Sequence, residues 1–158
     1  MKKLNLTILM SIIAFPVFAN QTTSIDNHER FISGTMNQVD CVTDSQTKLM
    51  LIKAPTSTKY TWQDANKYVK TLTTCGFKDW RLPTREEQIA LQTDIGNYAA
   101  FAWFNTHGFS NIQTDFYWSS ETYAPQPKDA WGIYMYSSKV YNEVKTGLNY
   151  VWAVRSTK

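Results

Sequence analysis

The chain has 158 residues, of which 15% are aromatic and 18% charged, and its formal net charge at pH 7 is +3. This length suits one domain around one core, and six tryptophans supply a large apolar surface for that size. A net charge of +3 does not indicate the dense patch of lysine and arginine that nonspecific nucleic-acid binding needs, so we expect no nucleic-acid partner.

The first 19 residues have the pattern of a secretory signal peptide. Lys2 and Lys3 form a basic start, an uncharged apolar run extends to Phe18, and Ala19 is a small residue suited to cleavage. The run is short for a membrane span, and an uncleaved anchor is the alternative. We therefore expect an exported protein, located in the periplasm or at the cell surface.

Cleavage after Ala19 would remove two lysines and lower the formal net charge from +3 to +1. Residues 20–29 are polar and are expected to form a loose tail, and residues 30–158 are expected to form one domain. No later stretch is long enough to span a membrane, so we expect no membrane insertion of the mature chain.

The chain contains two cysteines, Cys41 and Cys75. An oxidising compartment favours their pairing, and a closed loop of roughly 35 residues would stabilise the fold by about 3 to 4 kcal/mol. A reactive thiol or a metal site is the alternative, although the pair lacks the C-x-x-C spacing of zinc and redox motifs. We expect a structural disulfide.

The first part of the chain predicts short strands followed by a helix. A turn at Asp44–Thr47 should join two of the strands into a hairpin. Thr61 is placed to cap a helix whose apolar residues recur at helical spacing, and Gly76 is expected to close it. The predicted strands are Arg30–Ser33, Val39–Val42 and Leu49–Ile52.

A short predicted strand carries an arginine between two apolar residues. Trp80 and Leu82 alternate around Arg81, and Pro83 ends the strand. A guanidinium in such surroundings must be paired and hydrogen-bonded. We expect the same of Arg155 in the last strand. The carboxylates considered as partners are Asp44, Asp79 and Glu87.

Thr84 and Glu87 form a capping box that predicts a second helix from about Arg85 to Thr93. The following stretch, Asn97–Asp115, is expected to be a long loop that its own aromatic side chains pack. Those side chains are Tyr98, Phe101, Trp103, Phe104 and Phe109.

The last third of the chain predicts strands of an antiparallel meander. Its strand segments are Phe116–Ser120, Trp131–Tyr136 and Tyr150–Arg155, with a hairpin tip at Ser137–Lys139. Two early helices, a long irregular middle and several short antiparallel strands together indicate an α+β domain.

Several motifs occur in a characteristic order along the chain. They are Arg30-Phe31, Val42-Thr43-Asp44, Trp62-Gln63-Asp64-Ala65, Asp79-Trp80-Arg81-Leu82-Pro83-Thr84, Tyr117-Trp118-Ser119-Ser120 and Val154-Arg155. Together they resemble the Lcl C-terminal domain family, named for the C-terminal domain of the Legionella collagen-like adhesin, over roughly residues 30–155. In two places the chain departs from the family pattern: Lys48 replaces a glycine and Leu51 replaces a tryptophan.

The resemblance implies a fold related to C-type lectin-like and formylglycine-generating-enzyme domains, with two helices, a small twisted antiparallel sheet and long loops. It also implies extracellular work, with adhesion to sulfated glycans as the known example. The residues expected to be structural are Cys41, Cys75, Trp80, Arg81, Pro83, Glu87, Trp118 and Arg155.

The first function considered is glycan binding, because tyrosine rings stack on sugars and lysines meet sulfate or carboxylate groups. If Trp131, Ile133 and Met135 face the core, the intervening tyrosines face outward. The alternative is that these tyrosines pack the sheet and the lysines only solvate it. The predicted ligand-binding residues are Tyr134, Tyr136, Lys139, Tyr141 and Lys145, with Tyr150 as a further aromatic candidate.

Two other classes of function are considered as alternatives to glycan binding. An enzyme would resemble the formylglycine-generating oxidases, which depend on reactive cysteines, and neither His28 nor His107 lies in a pattern typical of a catalytic triad. We therefore expect no catalysis and no cofactor. Calcium is left open, although the lectin-like calcium motifs that would support it are absent. The third class is a protein-interaction module or accessory subunit of a pilus or secretion assembly. The sequence does not define the oligomeric state.

Overall fold

The computed structural model describes residues 29–35, 40–96 and 98–157. The predicted signal peptide, nearly all of the predicted tail and Val39 lie outside the described residues. Within them the chain is an α+β fold with three α-helices and two small antiparallel sheets. The strands are β1 (Phe31–Ser33), β2 (Cys41–Asp44), β3 (Leu49–Ile52), β4 (Phe116–Thr122), β5 (Asp129–Tyr134), β6 (Lys139–Val144) and β7 (Val154–Ser156). The helices are α1 (Trp62–Thr71), α2 (Arg85–Ala90) and α3 (Ala100–Thr106).

The first sheet has the strand order β1-β2-β3-β7. The predicted hairpin is confirmed as β2–β3, and its turn is held by Asp44, whose carboxylate accepts the Gln46 amide at 2.9 Å and the Thr47 hydroxyl at 2.7 Å. Lys48 ends this turn with a φ of 57°, a left-handed conformation that glycine adopts most readily. The departure from the family pattern thus falls where the backbone favours glycine.

The second sheet has the order β4-β5-β6, which confirms an antiparallel meander around the predicted hairpin tip, although β6 was not among the predicted strand segments. Gly132 is required in β5 because a Cβ atom there would lie 2.3 Å from the Phe116 ring and from the Tyr117 carbonyl oxygen. The prediction that the last strand continues this meander is wrong. β7 instead pairs with β3 in the first sheet, with Arg155 opposite Met50.

Residues 150–153 run between the two sheets and are hydrogen-bonded to both: Tyr150 bridges Tyr117 of β4 in parallel, and the Ala153 carbonyl oxygen accepts the Ile52 amide of β3 at 3.2 Å. Their side chains alternate between two apolar cores, which explains the strand-like sequence pattern. Val151 and Ala153 pack in the core that contains Trp80 and Trp118, and Trp152 packs in the other. The larger core also includes Leu51, Phe104, Tyr117, Ile133 and Val154.

The predicted disulfide is present between Cys41 and Cys75, whose Cα atoms are 6.5 Å apart. It joins β2 to a short 3-10 turn at Thr74–Gly76. The prediction that α1 extends to Gly76 is wrong, because the backbone is extended at Leu72, where the helix ends. The bridge therefore ties the first sheet to the connection after α1.

The capping box of α2 is confirmed: the Thr84 hydroxyl accepts the Glu87 amide, and the Glu87 carboxylate accepts the Thr84 amide. The helix ends at Ala90, earlier than the predicted Thr93, and turns follow. The predicted long loop is wrong in one respect, since it contains α3. This helix begins at Ala100, and Ala99, the residue before it, provides no side-chain cap.

Aromatic packing holds α3 in place. The Phe31 ring makes edge-to-face contacts with the rings of Trp103, Phe104 and Phe109, at centroid distances of 5.5, 6.1 and 5.1 Å. Tyr98 does not take part in this packing as predicted, because it is exposed. The helix thus depends on β1 for its position.

Each predicted arginine has a carboxylate partner. Arg81 donates two hydrogen bonds of 2.7 Å to Glu87, and Arg155 donates to Asp79 at 2.7 and 3.1 Å. Asp44, the third carboxylate considered, pairs instead with Arg30.

Within the described residues, no helix is both long and apolar enough to cross a membrane.

Candidate functional site

The β5–β6 hairpin carries three of the predicted ligand-binding residues on one face. Tyr134 lies opposite Lys139 and Gly132 lies opposite Tyr141. Residues directly opposite in an antiparallel pair point to the same face, and so do residues two apart along a strand. The side chains of Tyr134, Lys139 and Tyr141 therefore share one surface.

The predicted alternation along β5 and the turn after it is confirmed at four positions. Ile133 and Met135 are buried in the core, whereas Tyr134 and Tyr136 are exposed. Trp131 differs from the prediction, because it is only half-buried. Its ring makes an edge-to-face contact with the Tyr123 ring, and the Arg85 guanidinium lies 4.7 Å from its ring centroid.

The tip of the hairpin meets the segment before α3. The ring centroids of Tyr134 and Tyr136 are 6.4 Å apart, and Tyr136 lines a shallow hollow of about 380 Å³ together with Tyr98. A hydrogen bond of 3.3 Å from the Phe101 amide, in the first turn of α3, to the Met135 carbonyl oxygen links the helix to the hairpin. The other residues around the hollow are Gly96, Ala99, Ser137 and Ser138.

We call the surface formed by Tyr98, Tyr134, Tyr136, Lys139 and Tyr141 the tyrosine face. Its four rings are 71%, 38%, 63% and 48% exposed in that order. Such exposure is high for aromatic rings in a small domain whose other large aromatics are mostly in its cores. In the part of the chain that the structure describes, Lys139 makes no ion pair.

A lysine that the sequence did not single out lies beside this face. The Lys59 Nζ atom forms an ion pair with Asp115 and lies 5.0 Å from the ring centroid of Tyr150. The Tyr150 ring in turn stacks on Tyr117 and is half-buried. Lys59 is close enough to Tyr134 for the two side chains to interact electrostatically.

This ion pair sets the charge state of both partners. The hydrogen bond to Asp115 raises the pKa of Lys59. Burial raises the pKa of Asp115, but hydrogen bonds from Lys59 and the Phe116 amide outweigh it and leave the pKa below its ordinary value. Both groups are therefore charged at neutral pH, and Lys139 is the lysine that an anionic ligand can meet without displacing a partner.

Lys145 is not brought to the tyrosine face. It follows the far end of β6, roughly 20 Å along the strand from Lys139. Its Nζ atom donates hydrogen bonds of 2.8 Å to the Thr122 hydroxyl and the Pro127 carbonyl oxygen and lies 4.4 Å from the Trp62 ring centroid. Lys145 therefore contacts the end of β4, the loop before β5 and the start of α1, and its ammonium group is already hydrogen-bonded.

Of the two histidines considered for other chemistry, the structure describes His107. His107 stacks on Trp103 with 4.0 Å between ring centroids, and its Nδ1 atom is 2.7 Å from the Trp103 carbonyl oxygen. His28 lies outside the described residues. Among the residues that are described, no group of three or more His, Cys, Asp or Glu side chains is placed to hold a metal ion.

Two comparisons with known proteins bear on this arrangement. A search of curated proteins finds no match to the chain. The Lcl C-terminal domain family matches residues 40–155, which include α1, α2, α3, the whole second sheet and every residue of the tyrosine face. This match covers most of the chain and confirms the resemblance of the ordered motifs. The chain belongs to the Lcl C-terminal domain family.

Proposed function

We propose that this protein is a non-catalytic adhesive domain of the bacterial envelope that binds anionic glycans through the tyrosine face. Family membership supports an adhesin-related role, and the face itself supports the ligand class. Its exposed rings offer flat apolar surfaces for sugars, and Lys139 offers a point charge for a sulfate or carboxylate group. The observation that carries the proposal is the shared face of Tyr134, Lys139 and Tyr141.

The geometry favours a shallow site for an extended polymer over a deep pocket for a small molecule. The rings lie along the hairpin and around the hollow between Tyr98 and Tyr136. A polymer laid across this surface would contact several rings at once. We propose that each contact is weak and that affinity comes from many contacts along the chain of sugars.

The charge of the site sets its salt dependence. Lys139 is exposed, and Lys59 is already paired with Asp115. Few cations therefore meet the ligand, and added salt screens exposed charges. We propose weak binding that decreases between low and physiological ionic strength.

Location and fold detail belong to the same proposal. A signal peptide would deliver the domain to the periplasm or the cell surface, where glycans are available. A C-type lectin-like arrangement, which the family resemblance implies, would place the ligand on loops and a hairpin beside a small sheet. We propose no catalysis and no cofactor, so binding should proceed without calcium.

The proposal is tested on a glycan array with the exported chain, in parallel with calcium and with a chelator. Sulfated or carboxylated glycans should retain the protein at low salt, with equal signal in the two conditions. Neutral glycans of the same backbone serve as the matched control and should retain less. An array with no binding would contradict glycan recognition and favour the alternative, a partner protein in an envelope assembly.

A further inference from the structure

The outer strand of the second sheet, β6, has an open edge. The strand order is β4-β5-β6, and within the described residues no strand pairs with the outer side of β6. Open edges of this kind are templates for pairing with another strand. We propose that two copies of this chain associate by antiparallel pairing of their β6 strands, which joins two three-stranded sheets into one.

The hydrogen bonds of β6 determine which residues are available for this pairing. The Lys145 amide donates to the Lys128 carbonyl oxygen at 2.9 Å, so the backbone groups of Lys145 point towards β5. Backbone direction alternates along a strand. The amides and carbonyls of Val140 and Asn142 therefore point outward, away from β5. The Val144 amide also points outward, but the Val144 carbonyl oxygen already accepts the Gly147 amide at 2.8 Å.

One register of two β6 strands satisfies both these backbone groups and the side-chain charges. With Tyr141 opposite its own copy, Val140 lies opposite Asn142, and each such pair can exchange two hydrogen bonds. The same register puts Lys139 opposite Glu143. Two-fold symmetry forms this opposite-charge pair twice, as expected for a self-complementary interface.

Neighbouring registers that keep the hydrogen bonds lose this complementarity. A shift of two residues in one direction places Lys139 opposite Lys145, which brings like charges together. A shift in the other direction places Lys139 opposite Tyr141 and shortens the paired region. The register centred on Tyr141 is therefore the one that the sequence of β6 specifies.

The single chain shows how the edge is covered without a partner. The Glu143 carboxylate accepts a hydrogen bond of 3.0 Å from the outward-pointing amide of the next residue, Val144. On association, Glu143 would turn to the Lys139 ammonium group of the second copy. The charged side chains of β6 thus favour one partner instead of excluding all of them.

Association would also extend the tyrosine face, a consequence that rests on the proposed function. Tyr134 and Tyr141 lie on one face of the sheet, so pairing at the edge leaves their rings accessible. Lys139 would be paired with Glu143 of the second copy, and an anionic ligand would compete with that carboxylate for it. The faces of two copies would form one continuous surface with Tyr141 at its centre. Two linked sites hold a polymeric ligand far more strongly than one.

The first test exchanges the charges. Light scattering over a concentration series, without any glycan, should show a dimer for the parent chain. Lys139→Glu alone and Glu143→Lys alone should each give a monomer, and the double variant should restore the dimer. Lys70→Glu, an exposed charge reversal on α1, is the matched control and should remain dimeric.

The second test uses a crosslink that requires the proposed register. Tyr141 would face its own copy in a pair without hydrogen bonds, where Cα atoms lie about 4.5 Å apart, within the range that a disulfide spans. Oxidised Tyr141→Cys should form a covalent dimer, and Asn142→Cys, on the other face, should not. Four results would each overturn the proposal. The parent chain could stay monomeric, or its dimer could be insensitive to both charge reversals. The double variant could fail to restore the dimer, or Tyr141→Cys could fail to form the crosslink. Because no glycan is present, these outcomes are independent of glycan binding.

Discussion

Arg30 holds both carboxylate oxygens of Asp44, with hydrogen bonds of 3.0 Å from Nε and 2.9 Å from Nη2. The Asp44 side chain is fully buried, and that of Arg30 is 9% exposed. Arg30 also donates to the carbonyl oxygens of Ala90 and Leu91, at the end of α2. This pair thus connects the start of β1 to the β2–β3 turn and to α2.

Removal of Arg30 should destabilise the fold strongly, because it leaves the buried Asp44 carboxylate unpaired. We expect Arg30→Ala to lower the free energy of unfolding by about 3 kcal/mol, measured by urea denaturation at neutral pH. Lys67→Ala is the control, since the ion pair of Lys67 with Asp64 is exposed to solvent. A loss no larger than that of the control would show that the Arg30–Asp44 pair contributes little.

The same pair predicts acid sensitivity. Burial raises the pKa of Asp44, but hydrogen bonds from Arg30, Thr47 and the Gln46 amide outweigh it and lower the pKa below its ordinary value. A carboxyl with a depressed folded pKa stabilises the protein above its unfolded pKa, about 3.9, and loses that contribution as pH falls through the folded pKa. The stability difference between the parent and Arg30→Ala should therefore be largest near neutral pH and shrink on acidification to about pH 3, as Asp44 becomes protonated. Urea denaturation across this range measures it, and a difference that grew on acidification would contradict the assignment.

Arg81 should contribute less than Arg30, because its side chain is 31% exposed and solvent screens its pair with Glu87. We expect Arg81→Ala to cost about 1 to 2 kcal/mol. Arg81→Lys keeps the charge but not the two parallel hydrogen bonds, so it should recover only part of the loss. Thermal melts of both variants check this order, and an Arg81→Ala melt equal to that of the parent would show that the pair is not stabilising.

The Cys41–Cys75 bridge should be closed in protein recovered from an oxidising compartment. Mass spectrometry without reductant should find the chain two hydrogens lighter than its reduced form. Reduction should lower the free energy of unfolding by about 3 to 4 kcal/mol, because the open chain regains conformational freedom when it unfolds. Two thiols that react with an alkylating reagent before reduction would contradict the bridge.

The sequence predicted those helices and strands that are specified by residues close together in the chain. Thr84 and Glu87 predicted the start of α2 because a capping box needs only residues close in sequence. Helix α3 was missed because Ala99 gives no capping signal and the apolar residues after it do not separate into two faces. Its helical form depends on contacts with Phe31, which is far away in sequence.

The candidate site shows the same limit. Alternation along β5 predicted that Tyr134 and Tyr136 face outward, and hairpin register then placed Lys139 beside them. Lys59 lies in a loop that precedes α1, and no pattern in the sequence predicts that this loop lies beside β5. Lys145 was misplaced because proximity to Tyr141 in sequence does not give proximity along an extended strand.

The most direct test of the proposed function compares ring-deleting and ring-keeping variants of the tyrosine face. Binding of immobilised heparin or fucoidan is measured at low salt for the parent, for the double variant Tyr134→Ala with Tyr136→Ala, and for Tyr134→Phe with Tyr136→Phe. With thermal melts unchanged, the alanine variant should lose at least about tenfold in affinity, as expected if each ring contributes about 1 kcal/mol. The phenylalanine variant should bind nearly as well as the parent. Undiminished binding by a correctly folded alanine variant would contradict the tyrosine face as the glycan site.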